Sequence, residues 1–230
     1  MKEVLSSLEA KINYSFKNKK YIKEALTHRS YAAEKKIKSD NQRLEFLGDA
    51  VVEIIITEFL YLLYPDKNEG ELTALRSAIV QKKSLAKLAK LIELNNFIYL
   101  GKGEKEANGG LRASTLCDTF EAVIGAVYMD SDLETSRQVL IKLINEAYKD
   151  IDTLLIEINP KGVLQELVQK NSGSKPVYKL KSTDGLQHAP LYTVEVLLND
   201  EILSMGTGRN IKSAEIDAAG KAMKIFETKK

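Results

Sequence analysis

The sequence predicts two domains of different class, an all-helical domain followed by a small α-β-β-β-α domain. Three observations point there. From residue 1 to about 155 the apolar residues recur at helical spacing, and almost nothing alternates with period two. Beyond Asn159-Pro160, short apolar segments are separated by the turn dipeptides Asp184-Gly185 and Asn199-Asp200. The chain has 230 residues, 44% hydrophobic and 29% charged, enough to give each of two domains its own core. The expected bounds are 1–152 and 158–228.

Each element has a local reason. A long helix is expected from near Asp40, carrying Leu44, Phe46, Leu47, Val51, Ile54, Ile55, Phe59 and Leu62, and stopping at Pro65, which cannot continue it. A second begins near Leu111 with Leu116, Phe120, Val123, Ile124 and Val127. A third is expected to start at Ser131, spaced from Glu134 as in a capping box, and to reach about Tyr148. In the C-terminal part, Val163, Leu164, Leu167 and Val168 mark a short amphipathic helix. Strands follow at Val177 to Leu180, ending before Asp184-Gly185, then at Tyr192 to Leu198 and Glu201 to Met205, the last two forming a hairpin about Asn199-Asp200. After Gly206-Thr207-Gly208 a final helix carries Ala214, Ile216, Ala218, Ala219, Ala222 and Ile225.

Composition narrows the function. The most apolar run, Ala50 to Tyr64, is too short to span a bilayer and contains Glu53 and Glu58, so no membrane partner and a cytoplasmic location are expected. Cys117 is the single cysteine, which excludes an internal disulfide or a multi-cysteine zinc site, and reads as a small buried hydrophobe. A net charge of +2 does not single out nucleic acid, so any basic surface must come from local placement.

Two carboxylate pairs stand out. Glu45 and Asp49 lie at i and i+4 on the long helix, and Asp118 and Glu121 at i and i+3 on the second, each pair among apolar neighbours. At about 5 Å and an effective dielectric of about 20, such a pair repels by roughly 3 kcal/mol, so something positive should compensate. Facing each other, the pairs would suit a hard divalent cation. From spacing alone, solvated helix surface is the commoner reading. Gly48 adds weight to a site, since glycine costs about 1 kcal/mol inside a helix and usually has a close-packing reason there. A di-iron bundle would want Glu-x-x-His motifs, which His28 and His188 do not provide.

Gln42-Arg43-Leu44-Glu45-Phe46-Leu47-Gly48-Asp49 resembles the signature motif of ribonuclease III, the endonuclease of double-stranded RNA. Leu116 to Ala126 is similar to the family's second acidic segment, and Ala25 to Tyr31 to its N-terminal motif. The resemblance implies that Glu45, Asp118 and Glu121 ligate Mg²⁺, with Mn²⁺ as a substitute, while Asp49 acts with Glu121 at the cleavage centre. It implies a homodimer in which Phe46 inserts into the partner subunit, and products with 5′-phosphate and 3′-hydroxyl ends and short 3′ overhangs, with ribosomal RNA precursors among the substrates. Glu69 matches an acidic position near the processing centre.

The C-terminal part resembles a double-stranded RNA-binding domain, through Pro160 to Leu167, Pro176-Val177-Tyr178, the loop Gly185 to Tyr192 and the segment Gly206 to Glu215. Such modules read the shape of an A-form duplex through its minor groove and flanking phosphates. Gln165, Glu166 and His188 are the expected hydrogen-bonding contacts, and Arg209 and Lys212 the phosphate contacts at a helix start. Two positions depart from the family pattern: Gln42 stands where an acidic residue is usual, and Ile211 where a second basic residue is common. The rival reading is a double-stranded RNA-binding protein that no longer cuts and dimerises through the helical domain.

Overall fold

A computed structural model describes residues 2–148, 156, 159–186 and 189–227. The chain forms two compact units, Met1–Lys149 and Asp150–Lys230.

Among its described residues the first unit is built from helices: α1 (Lys2–Ile12), α2 (Lys19–Ala25), α3 (Arg29–Lys35), α4 (Gln42–Leu63), α5 (Glu69–Val80), α6 (Lys82–Leu91), α7 (Lys102–Glu106), α8 (Ala113–Asp130) and α9 (Leu133–Ala147). Short 3₁₀ turns occupy Leu94–Asn96 and Gly109–Leu111. The hydrophobic segment from Leu116 to Val127 explains the centre of this arrangement. Helix α8 is apolar on nearly every side, as expected of a helix surrounded by others, and it packs against α2, α4, α6 and α9. Leu116, Phe120, Val123, Ile124 and Val127 are fully buried there.

The pairing of α8 with α4 is the most extensive in the unit. Gly48 of α4 and Gly125 of α8 make it possible. A Cβ on Gly48 would lie 1.8 Å from the Glu121 carbonyl oxygen, and one on Gly125 would lie 2.4 Å from the Leu44 carbonyl oxygen. The two backbones therefore touch, which is the close-packing reason expected for Gly48.

One expected start is corrected. Asp132, not Ser131, caps α9: its Oδ1 accepts from the Thr135 N–H at 2.7 Å, while Ser131 Oγ donates to the Val127 carbonyl and so finishes α8. Both residues have capping side chains, and the tight α8–α9 connection places the second at the helix start.

In the second unit, α10 (Pro160–Ser172) leads into an antiparallel sheet in the order β1 (Val177–Leu186), β2 (Ala189–Leu198), β3 (Glu201–Gly208), followed by α11 (Ile211–Glu227). Leu164, Val168, Val196, Ala218, Ala219, Ala222 and Met223 form its core. The β2–β3 turn is as expected, with Asn199 and Asp200 both at positive φ, the backbone that asparagine and aspartate tolerate best. The first hairpin differs. Strand β1 continues through Asp184 and Gly185, which pair with Leu191 and Pro190 on β2. The Asp-Gly dipeptide thus lies inside the ladder, with Gly185 at φ +94° in contact with the Ala189 carbonyl. Gly206 and Gly208, expected to lie beyond the strand, belong to β3, because only a glycine lets that strand approach α11: a Cβ on Gly206 would lie 2.1 Å from the Ala218 nitrogen.

Candidate active site

The contact of α4 with α8 decides where the acidic side chains go. Because Gly48 lies against the Glu121 carbonyl, Glu45 and Asp49 flank that contact on α4, and Asp118 and Glu121 flank it on α8. Four carboxylates that the sequence separates by some seventy positions share one locality.

Their ionisation shows the crowding. The Glu121 carboxyl is pushed up to about 7 by burial first, then by the negative charges of Asp49, Asp118 and Glu45. Glu45 is raised by burial and then by Asp118, Asp40 and Asp49. Asp118 is raised by burial, against the opposing pull of Lys82, His28 and Arg29. Like charges in a half-buried place each favour the neutral form of the other. The compensating positive charge anticipated from the pairs is supplied by Arg29 and Lys82, neither of which spacing had singled out.

Cys117 is buried as expected, but it does more than fill space. Its Sγ donates a hydrogen bond to Glu121 Oε1 at 3.5 Å, and donor atoms of Cys117, Asp118 and Glu121 lie within 4.8 Å of one another. Burial and the neighbouring Glu121 carboxylate push the thiol up, so it stays protonated and acts as a donor. The i, i+4 spacing of Cys117 and Glu121 was the legible signal for this contact. What remains for a cation is a set of carboxylate oxygens destabilised by their own mutual repulsion. That donor chemistry fits a hard divalent ion, whose charge would relieve the repulsion.

On the approach to this cluster, Glu45 and Asp118 also line a polar cavity of about 210 Å³ that His28, Arg29, Asn41 and Arg112 share. His28 caps α3: its Nδ1 accepts from the Ser30 N–H, and burial lowers the imidazole below its ordinary range. Gln42 is exposed at the start of α4, its N–H held by Asp40 Oδ1 at 3.1 Å.

Phe46 points away from the core, 82% exposed, beside a second cavity of about 690 Å³ lined by Tyr21, Leu44, Leu47 and Met129. Its α4 neighbours Leu44 and Val51 are buried, so Phe46 is not an ordinary core residue. Glu69 is the first residue of α5 and is exposed.

In the second unit, Gln165 and Glu166 stand exposed on α10, and Arg209 and Lys212 stand exposed at the β3–α11 junction. Asn210 Oδ1 accepts from the Ser213 N–H, so one of the free amides expected at this helix start is already taken. Ile211 is 45% exposed and does not pack under the helix. His188 lies outside the described residues.

Comparison with known proteins agrees with this geometry. A family model described as Ribonuclease-III-like matches residues 18–147, and one described as Double-stranded RNA binding motif matches residues 160–225. The chain is 40% identical over 225 residues to "Ribonuclease 3" of Nitratiruptor sp., covering 98% of each chain. It is 39% identical over 224 residues to "Ribonuclease 3" of Enterococcus faecalis, covering 96% of this chain and 97% of that one. The solved nuclease domain of ribonuclease III from Campylobacter jejuni superposes with a TM-score of 0.60 at 36% identity, covering 63% of this chain and 98% of that one. No helix among the described residues is long and apolar enough to cross a membrane. A helical nuclease unit carrying four converging carboxylates, joined to a double-stranded RNA-binding unit, thus agrees with relatives along nearly the whole chain, and the chain belongs to the ribonuclease III family of endoribonucleases.

Proposed function

We propose that the chain is a Mg²⁺-dependent homodimeric endonuclease in which residues 1–152 cut double-stranded RNA and residues 158–228 hold it. The observation that carries this reading is the Gly48–Gly125 contact, which gathers Glu45, Asp49, Asp118 and Glu121 at a cost in repulsion that Arg29 and Lys82 offset in part and that a bound cation would offset further.

Glu45, Asp118 and Glu121 would hold the ion, and Mn²⁺ would substitute for it. Bound there, Mg²⁺ would lower the pKa of a coordinated water and take up charge developing on the phosphate. Asp49 and Glu121 orient the attacking water for in-line displacement at phosphorus. The 3′ oxygen leaves with the departing strand, giving 5′-phosphate and 3′-hydroxyl ends. Cys117 holds Glu121 Oε1 and limits its rotation. Offset cuts on the two strands, one per subunit, leave short 3′ overhangs.

Phe46, 82% exposed beside an open cavity on its own surface, suits an isologous contact in which each copy's phenyl ring enters the other copy's cavity. In the second unit Gln165, Glu166 and His188 are assigned to 2′-hydroxyls and base edges, and Arg209 and Lys212 to phosphates across the major groove. Gln42, a neutral amide beside Glu45, is assigned to substrate contact and not to the ion. Ribosomal RNA precursors are the proposed natural substrates, processed in the cytoplasm.

Incubating the full chain with long duplex RNA and Mg²⁺, with and without chelator, tests the reading. Chelator-sensitive cleavage to short duplexes with 5′-phosphates and 3′ overhangs is expected. Binding without cleavage under every condition would instead identify a protein that holds duplex RNA and no longer cuts it.

A further inference from the structure

The 210 Å³ cavity beside Glu45 and Asp118 has more hydrogen-bond donors than the protein uses. Asn41 is 3% exposed and lines it, yet its side-chain amide makes no hydrogen bond among the described residues and does not cap α4. Thr115, 7% exposed, also lines it, and its hydroxyl likewise has no partner among the described residues. Both groups line the cavity, where a polar occupant would find a donor or acceptor that no side chain of the protein has taken.

The same wall is formed by the start of α8, an 18-residue helix that no side chain caps. Its first-turn N–H groups and positive dipole end favour an anion. His28 adds a donor: the Gly101 N–H bonds Ser30 Oγ, and Ser30 bonds His28 Nδ1 through its own N–H, which leaves the proton of the neutral ring on Nε2. Two guanidinium groups complete the lining. Arg29 is exposed and has no ion pair among the described residues, while Arg112 donates one N–H to Glu104 at 2.9 Å and keeps its others.

Against these stand three carboxylates, Glu45, Asp118 and Glu104. Glu104 is neutralised by Arg112, and the other two are metal ligands in the function proposed above, on which this inference rests. Without the ion the lining carries one more carboxylate than guanidinium; a divalent ion on Glu45 and Asp118 would remove that excess and favour a phosphate, and the volume admits one with part of its ribose.

We propose that this cavity is a second phosphate subsite, which receives a backbone phosphate adjacent to the scissile one on the strand being cut. Its donors are backbone amides, a neutral imidazole, an amide and two guanidiniums, which fix the register of the strand without reading its sequence.

The test uses the full chain and three small probes, adenosine 3′,5′-bisphosphate, adenosine 5′-monophosphate and adenosine 3′-monophosphate, titrated calorimetrically with Mg²⁺. The bisphosphate is expected to bind at least about tenfold more tightly than either monophosphate, the gain of one well-placed charge-assisted contact. Arg29→Gln and Asn41→Ala should remove most of that advantage, read as the ratio of bisphosphate to monophosphate affinity within each variant. Asn41 is buried and its variant is accepted only with an unshifted melt; Arg29 is exposed and decides the matter alone if Asn41→Ala does not fold. Mg²⁺-dependent monophosphate binding with no advantage for the bisphosphate, or an advantage that survives Arg29→Gln, overturns the subsite and leaves the metal site standing. No nucleotide binding with Mg²⁺ overturns both.

Discussion

Both units contain a place where a glycine lets two backbones touch, and the consequences are opposite. At Gly48 the neighbours across the contact carry Asp118 and Glu121, so close packing concentrates negative charge in a half-buried place. At Gly206 the neighbours are Ala214 and Ala218, so close packing only completes an apolar core, while Arg209 and Lys212 stay in water. The difference fits the function proposed for each unit. A cation needs ligands that are poorly satisfied without it, and that requires crowding and burial. A polyanionic duplex needs positive charges spread over its own length, where water screens their mutual repulsion and counterion release supplies affinity.

Substitutions that separate charge from packing probe this contrast. The largest effect is expected from Glu121→Gln, which keeps shape and removes charge at the most perturbed carboxyl. Cleavage under single turnover should fall by at least about a hundredfold, while duplex binding measured by gel shift in Ca²⁺ stays unchanged. Near-normal cutting would remove Glu121 from the site.

Gly48→Ala tests packing without touching charge. With a Cβ 1.8 Å from a carbonyl oxygen the helices must separate, costing about 3 kcal/mol in thermal stability and most of the activity. Gly206→Ala, 2.1 Å from the Ala218 nitrogen, should destabilise the RNA-binding unit by a similar amount and weaken duplex affinity. An equal loss of Mg²⁺ binding in both variants would erase the distinction between the two contacts. Phe46→Ala should weaken self-association by about 3 kcal/mol in sedimentation, with the monomer's melt unchanged because the ring is exposed.

A smaller effect concerns pH. The folded Glu121 carboxyl titrates near 7, above its ordinary 4.5, so between those values the folded chain holds a proton that the unfolded chain has released. Stability of the metal-free protein should therefore fall as pH rises from about 5 to about 7.5. Mg²⁺ should lessen the fall, and Glu121→Gln should reduce it. A melting temperature that rises over this interval, in a buffer free of metal, would contradict the crowding.

The smallest expected change lies in the other unit. Ile211→Lys adds one charge at an exposed helix start and should steepen the dependence of log affinity on log salt by somewhat less than one unit. The melt should not move, since Ile211 is not a core residue.

The sequence by itself determined the class of each unit, the acidic pairs and the β2–β3 turn, because periodicity, spacing and turn chemistry are local properties. It also announced that Gly48 had a packing role, though not against what. It misplaced the start of α9, where Ser131 and Asp132 are both good caps and only the packing of α8 against α9 chooses between them. It ended β1 too early, because an Asp-Gly pair signals a turn unless a partner strand holds it in the ladder. Only tertiary structure decided that the acidic pairs face each other, that Arg29 and Lys82 offset them, and that Cys117 holds Glu121. The exposure of Phe46 and the place of the buried Asn41 on a cavity wall likewise belong to the fold, for both depend on which neighbours are missing, and absent neighbours leave no mark on a residue's own spacing.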